Sequence, residues 1–109
     1  MELKLNKIYR AGDDGSIVHI SIEATYGWGG DMFRDAIRIY YNEKKREAFM
    51  TVKALNPGIG AVAARILELM TGTNYRAASV KNPPRFVIEM LAEKLSLQYD
   101  SHEVDKHLG

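Results

Sequence analysis

The residues whose types could carry catalysis are three histidines and the hydroxyl and carboxylate groups near them. His19, Ser21 and Glu23 alternate along one segment, so in a strand they would share one face and offer the groups of a triad. However, neighbours at i and i+2 lie ~6.6 Å apart along a strand and diverge outward. The pattern therefore favours a polar strand face over a catalytic triad.

The segment His102–His107 resembles the His-Glu-x-x-His signature of zinc hydrolases, but its second histidine comes one residue too late to share a helical face with the first. A loose metal site in the tail remains an alternative. The chain has no cysteine, which excludes thiol nucleophiles and thiolate metal sites, and it has no glycine-rich loop ending in Lys-Ser/Thr. We therefore predict a protein that is not an enzyme, with no cofactor, metal or catalytic residue.

The binding of an anion is better supported, because one predicted helix begins with glycines. Asn56 suits the N-cap, and Pro57 suits the first helical position, where its missing N–H costs nothing. Gly58 and Gly60 then lie in the first turn without side chains that would block approach to the backbone N–H groups and the positive end of the helix dipole. The sequence predicts a phosphate site at this helix start.

A second group of candidate ligands follows the same helix in the polar connector 71–81. Its cations, Arg76 and Lys81, could pair with phosphate, although ordinary surface charge is the simpler interpretation. A helix of about 15 residues is ~22 Å long, so the two groups can meet only across an antiparallel homodimer. The predicted ligand is nucleotide-like and bound without turnover, at Trp28, Asn56, Gly58, Gly60, Thr73, Asn74, Arg76 and Lys81.

Trp28 has two interpretations, because it is the only tryptophan and it lies among three glycines in the segment 27–30. It could fold back to cover one end of the core, since small domains seldom expose so much aromatic area. Alternatively, it could stack on a base, with the glycines supplying room.

Two other functions remain open. Arg34, Arg38, Tyr40 and the basic segment 44–46 could make one sheet basic and aromatic, as single-stranded nucleic-acid binding requires. At the level of topology only, strands followed by a helix resemble the whirly and coactivator-type single-stranded DNA-binding folds. The order also resembles the double-stranded RNA-binding domain, but Pro-Gly-Ile-Gly at 57–60 replaces the lysines that this family needs. A small protein–protein inhibitor or adaptor is the third alternative.

The elements that must position these residues are four strands and two helices. Residues 2–9 and 17–26 alternate apolar and polar side chains and predict a hairpin, and the returning strand 47–55 follows a charged turn. Residues 32–41 fit either a helix or a strand, and their β-branched and aromatic content favours the strand. Apolar stripes after Asn56 and after Asn82 predict the two helices.

Length and charge limit the number of domains and the kinds of partner that the chain can have. A chain of 109 residues with formal net charge +1 predicts one domain, residues 1–109, with a modest core and with 98–109 as a partly flexible tail. The predicted fold is α+β, with a four-stranded antiparallel sheet followed by two helices on one face, as a homodimer. With no signal peptide or apolar span in evidence, we expect a cytoplasmic protein without a membrane partner.

Overall fold

Four strands form one antiparallel sheet in the computed structural model, which describes residues 1–26, 30–53, 57–71 and 83–109. Each strand pairs with the next along the chain, so the spatial order is the sequence order. The predicted four-stranded antiparallel sheet is confirmed. The strands are β1 (Glu2–Ala11), β2 (Ile17–Tyr26), β3 (Asp31–Asn42) and β4 (Glu47–Val52).

Strand β3 covers the segment whose periodicity was compatible with either a helix or a strand. The β2–β3 pairing shifts register, because Ile22 pairs with Ile37 while Ala24 pairs with Phe33. The chain thus advances two residues on β2 and four on β3, and this irregularity buries the adjacent Ala36 and Ile37 together. Two buried neighbours in sequence break the alternation of a strand, which explains the helix-like spacing.

The described residues contain three helices, so the predicted count of two is wrong. They are α1 (Pro57–Thr71), α2 (Pro84–Leu95) and α3 (Ser101–Leu108). The third forms in the polar tail because the Asp100 carboxylate accepts a hydrogen bond from the His102 backbone N–H at 2.8 Å, and because Val104 is buried. That this tail is partly flexible stays a prediction.

The helices cover one face of the sheet. Helix α1 contacts β3, β4 and α2, and α3 contacts β1 and α2. Inward-facing strand residues such as Val18 and Ile20 pack with Ile66, Leu91 and Val104 in one buried cluster. The opposite face of the sheet carries polar residues and the rings of Tyr9, His19, Tyr40 and Phe49, whereas Tyr41 lies in the buried cluster on the helix side. No helix in the described part of the chain is long and apolar enough to cross a membrane.

The two edges of the sheet differ. At the β1 edge, the segment after α2 adds a short parallel bridge: Leu5 N–H donates to the Gln98 carbonyl at 2.8 Å, and Gln98 N–H donates to the Leu3 carbonyl at 2.9 Å. At the β4 edge, the described residues add no strand beyond β4. Among the described residues, the β1 edge is therefore partly covered, and β4 is the last strand on the other side.

Candidate functional site

The sheet face that points away from the helices carries a row of four aromatic rings, one from each strand. Strand pairing places Tyr9 opposite His19, His19 opposite Tyr40, and Tyr40 opposite Phe49. The Tyr9 and His19 rings stack with centroids 4.6 Å apart, and the Tyr40 and Phe49 rings stack at 4.9 Å. The His19 ring meets Tyr40 edge-on at 4.7 Å, which joins the two stacked pairs. We call these four residues the aromatic row.

The row becomes more exposed toward β4. His19, Tyr9 and Tyr40 are half-buried, whereas Phe49 is 58% exposed on the edge strand. An exposed phenyl ring leaves apolar area in water, at an unfavourable ~25 cal/mol per Å². Phe49 is therefore the ring of the row that is most accessible to a ligand.

Cationic side chains lie against the row. The Lys7 ammonium is 5.0 Å from the centre of the Tyr9 ring, and the Arg38 guanidinium carbon is 5.4 Å from the centre of the Tyr40 ring. Both distances are within the range of cation–π attraction. The row thus combines ring surfaces with positive charge, although the whole chain is nearly neutral.

A hydrogen-bonded relay links one of these cations to the histidine. Arg38 Nη2 donates to the Tyr9 hydroxyl oxygen at 3.1 Å, and that hydroxyl lies 3.2 Å from His19 Nδ1. Burial lowers the pKa of His19 below its ordinary value, and the positive charge of Arg38 lowers it further. In the neutral tautomer that carries its proton on Nε2, His19 accepts from the Tyr9 hydroxyl at Nδ1, which joins Arg38, Tyr9 and His19 in one hydrogen-bonded chain.

A depression of about 390 Å³ adjoins the aromatic row on the same face. Its floor includes Ser21, a buried polar residue whose hydroxyl donates to the Asp35 carboxylate. The Asn6 amide donates to the Ser21 hydroxyl oxygen at 3.4 Å. The wall therefore presents amide, carboxylate and cationic groups to a ligand. The lining residues are Asn6, Lys7, Tyr9, Ser21, Arg34, Asp35 and Arg38.

These contacts bear on the triad alternative. His19 and Ser21 share a face, as the alternation predicted, but His19 interacts with Tyr9 while Ser21 interacts with Asp35 and Asn6. The Ser21 hydroxyl thus donates to a carboxylate, and no hydrogen bond joins its side chain to a histidine among the described residues. These hydrogen bonds do not form a Ser-His-acid triad.

The tail histidines show no metal-binding geometry. His107 Nε2 lies 3.7 Å from Glu103 Oε2 one helical turn away, with His107 half-buried and Glu103 exposed. Among the described residues, no group of three or more histidine, aspartate or glutamate side chains is close enough to hold a metal ion.

Of the residues predicted to bind phosphate or the nucleotide, the structure describes Gly58 and Gly60. Gly60 is exposed, and a Cβ placed on it would meet no heavy atom within 4 Å. Gly58 is half-buried in the same first turn of α1. The other predicted ligand-binding residues lie outside the described residues: Trp28, Asn56, Thr73, Asn74, Arg76 and Lys81.

Sequence reasoning identified Arg38 and Tyr40 on this face but missed that Tyr9, His19 and Phe49 complete the row. The sequence did not show the register in which neighbouring strands pair. In an antiparallel hairpin, the numbers of paired residues add up to one value, which the position of the turn sets. The three turns therefore place residues 9, 19, 40 and 49 side by side across the sheet. Alternation within each strand was visible, but alignment between strands was not.

No protein-family model, no curated protein and no solved structure matches this chain.

Proposed function

We propose that this protein binds single-stranded nucleic acid on the open face of its sheet. The observation that carries the proposal is the aromatic row across all four strands, with Lys7 and Arg38 against its rings. Exposed aromatic rings stack on bases regardless of sequence, and adjacent cations attract the phosphates. The function is binding without turnover.

The ligand is single-stranded because a duplex keeps the flat faces of its bases inside the stack. A single strand can lay unstacked bases on Phe49 and the half-buried rings beside it. The polar depression next to the row offers amide and carboxylate groups to a base edge, and cations to the backbone. A chain of net charge +1 has little general attraction for a polyanion, so binding must depend on these local contacts.

Replacing Phe49 tests the proposal directly. Phe49→Ala removes an exposed ring and should weaken the binding of a fluorescent single-stranded oligonucleotide by about 1–3 kcal/mol, or roughly 5- to 150-fold in Kd. Fluorescence anisotropy at low salt measures the change for DNA and RNA strands, with a duplex of the same length for comparison.

Phe86→Ala is the matched control, because Phe86 is 50% exposed on helix α2, away from the open face of the sheet. This variant should bind like the unmodified protein. Equal affinity of the Phe49→Ala variant and the unmodified protein, or equal losses in the two variants, would contradict the proposal.

A second candidate is the phosphate-bearing, nucleotide-like ligand predicted at the start of α1. The observation in its favour is the open space above Gly60, where an anion could approach the backbone of the first helical turn. A nucleotide panel should then raise the melting temperature, and Gly60→Val should remove that increase without affecting oligonucleotide binding. Homodimerisation remains part of this proposal, because the connector of one copy must reach the helix start of the other.

A further inference from the structure

Two irregularities in strand pairing lie on either side of Ser21 on the open face of the sheet. The β1–β2 register shifts between Leu5 and Lys7, which leaves Asn6 without a partner on β2. The β2–β3 register shifts nearby, at the segment 34–36 of β3. Such irregularities turn side chains in new directions. Residues of both irregular segments line the depression on this face.

Ser21 joins one side chain from each irregular segment. Its hydroxyl oxygen accepts a hydrogen bond from the Asn6 amide at 3.4 Å, and the hydroxyl donates to the Asp35 carboxylate. Ser21 is 2% exposed, whereas Asn6 is exposed and Asp35 is half-buried at the wall of the depression. Because the amide and the carboxylate bond to the same oxygen atom, they lie close enough to face a single base.

Asn6 and Asp35 keep hydrogen-bonding capacity beyond Ser21. An amide nitrogen carries two protons, and a carboxylate has two oxygens that only accept. Among the described residues, neither Asp35 nor any cation of the depression takes part in an ion pair. Those cations are Lys7, Arg34 and Arg38. The carboxylate and the cations can therefore bind different parts of one ligand.

The Watson–Crick edge of guanine fits this arrangement of groups. Guanine carries two adjacent donors, N1–H and the N2 amino group, beside the acceptor O6. The two donors match the Asp35 carboxylate, and O6 matches the second N–H of the Asn6 amide. Adenine, cytosine and thymine each place an acceptor directly beside their donor, and that acceptor would face the carboxylate. Guanine is therefore the base that the two side chains favour.

The depression lies beside the aromatic row. Lys7, Ser21 and Arg38 pair across β1, β2 and β3, two residues along each strand from the row, which is a distance of ~6.6 Å. Tyr9 belongs to the row and also lines the depression. The volume of the depression, about 390 Å³, falls within the range of ~300–1,000 Å³ for small-molecule sites. A strand can thus place one base in the depression and its neighbours on the rings.

We infer that the depression selects guanine within a single strand. The Asp35 carboxylate accepts from N1–H and the N2 amino group, and the Asn6 amide donates to O6. The cations of the depression remain for the phosphates on either side of that base. This inference deepens the proposed function and rests on it.

Changing one base of the ligand tests the selection. The probes are short fluorescent oligothymidines with one guanine, adenine, cytosine or hypoxanthine at the centre, and fluorescence anisotropy gives their Kd values. Guanine should lower the Kd by about 5- to 150-fold relative to adenine. Hypoxanthine lacks the N2 amino group and should fall between the two. Equal Kd values for all four probes would overturn the selection of guanine and leave the proposed function intact.

Asp35→Asn tests the carboxylate itself. The new amide keeps an oxygen that can accept from Ser21 but replaces the other acceptor with a donor, so the preference for guanine over adenine should disappear. Affinity for plain oligothymidine should not fall, which also shows that the variant is folded. Asn6→Ala, at an exposed position, should reduce the same preference.

Asp31→Asn is the matched control, because Asp31 is exposed on the same strand and does not line the depression. It removes the same charge and should keep the preference for guanine. A preference that survives in Asp35→Asn, or that is lost equally in Asp31→Asn, would overturn the assignment.

Failure of the proposed function would give a different result. If no strand of any composition bound, the single-strand proposal would be contradicted, and guanosine monophosphate would then test the depression alone. Its titration into the isotope-labelled chain should shift the backbone amide resonances of Asn6 and Asp35 more than adenosine monophosphate does. Equal shifts from the two nucleotides, or none, would overturn the selection of guanine.

Discussion

At the scale of single residues, both burial and the nearby charge of Arg38 act on His19 in the aromatic row. Its ring stacks on Tyr9 and meets the edge of Tyr40, and its Nδ1 lies 3.2 Å from the Tyr9 hydroxyl, which accepts a hydrogen bond from Arg38. Protonation would put a second positive charge beside Arg38 and leave the ring without an acceptor nitrogen. The aromatic row therefore holds together best while His19 is neutral.

This arrangement predicts a pH dependence of stability. Because the pKa of His19 is lowered in the folded protein, the unfolded chain binds more protons over the interval between the lowered pKa and the ordinary value near 6.5. The contribution of His19 is complete above pH 6.5 and declines as the pH falls through that interval. Urea unfolding at pH 7.5 and at a series of lower values should show a smaller decline for His19→Gln than for the unmodified protein.

His102→Gln provides the control, since His102 is exposed on α3, away from the aromatic row. It should retain the pH dependence of the unmodified protein. If His19→Gln loses as much stability on acidification as His102→Gln does, the histidine of the row is not responsible.

Other charges near the surface act more locally. The Lys44 ammonium bonds to the Asp14 carboxylate and, with Ser16, holds the pKa of Asp14 well below its usual range. Both side chains are exposed, so water and salt screen the pair. The ion pair connects two neighbouring turns but has little effect on the free energy of unfolding.

At the scale of elements, helix α3 shows how a polar segment becomes ordered. Eight residues are too few for a stable isolated helix. Asp100 caps its start, the Arg85 guanidinium pairs with Asp105 at 2.6 Å, and the Arg10 side chain donates to the His107 carbonyl at 2.6 Å. Each anchor is contributed from outside the helix, which explains why the helix was missed in the sequence.

The buried Val104 should therefore carry much of the docking energy of α3. Val104→Ala deletes two methyl groups from the core and should lower the free energy of unfolding by about 1–3 kcal/mol. Lys106→Ala, an exposed position in the same helix, should change it by less than about 0.5 kcal/mol. Urea denaturation of both variants gives the comparison, and equal stabilities would indicate that α3 is not part of the core.

A substitution at the end of α2 is expected to stabilise the protein. Ser96 adopts the left-handed conformation with φ of 57°, and its backbone N–H caps the helix by donating to the Leu91 carbonyl. Glycine adopts this conformation without steric cost, so Ser96→Gly should raise the free energy of unfolding by about 0.5–1 kcal/mol. Thermal unfolding should show a higher melting temperature, and a lower one would mean that the serine side chain stabilises the turn.

At the scale of the whole molecule, near-neutrality limits how a polyanion can bind. For single strands, the logarithm of affinity falls with the logarithm of salt concentration with a slope of about −0.7 per phosphate neutralised. Contacts from Lys7, Arg34 and Arg38 would give a slope of about −2. Binding isotherms at several salt concentrations measure it.

Arg38→Ala should make this slope shallower by about 0.7 and weaken binding for all strand sequences alike. Arg65→Ala is the matched control, because Arg65 lies on α1 and pairs with Glu68 at 2.9 Å. It should leave the slope unchanged. An unaltered slope in Arg38→Ala would exclude that arginine from phosphate contact.

The sequence alone determined the strands, the antiparallel hairpins, two of the helices and the α+β class, because alternation, turn residues and helix caps are local signals. It also predicted which face of β2 is buried, since Val18 to Ala24 alternate cleanly. Only the tertiary structure decided the rest. Strand register brought Tyr9, His19, Tyr40 and Phe49 into one row, and distant side chains ordered α3, because both depend on contacts between residues far apart in the chain.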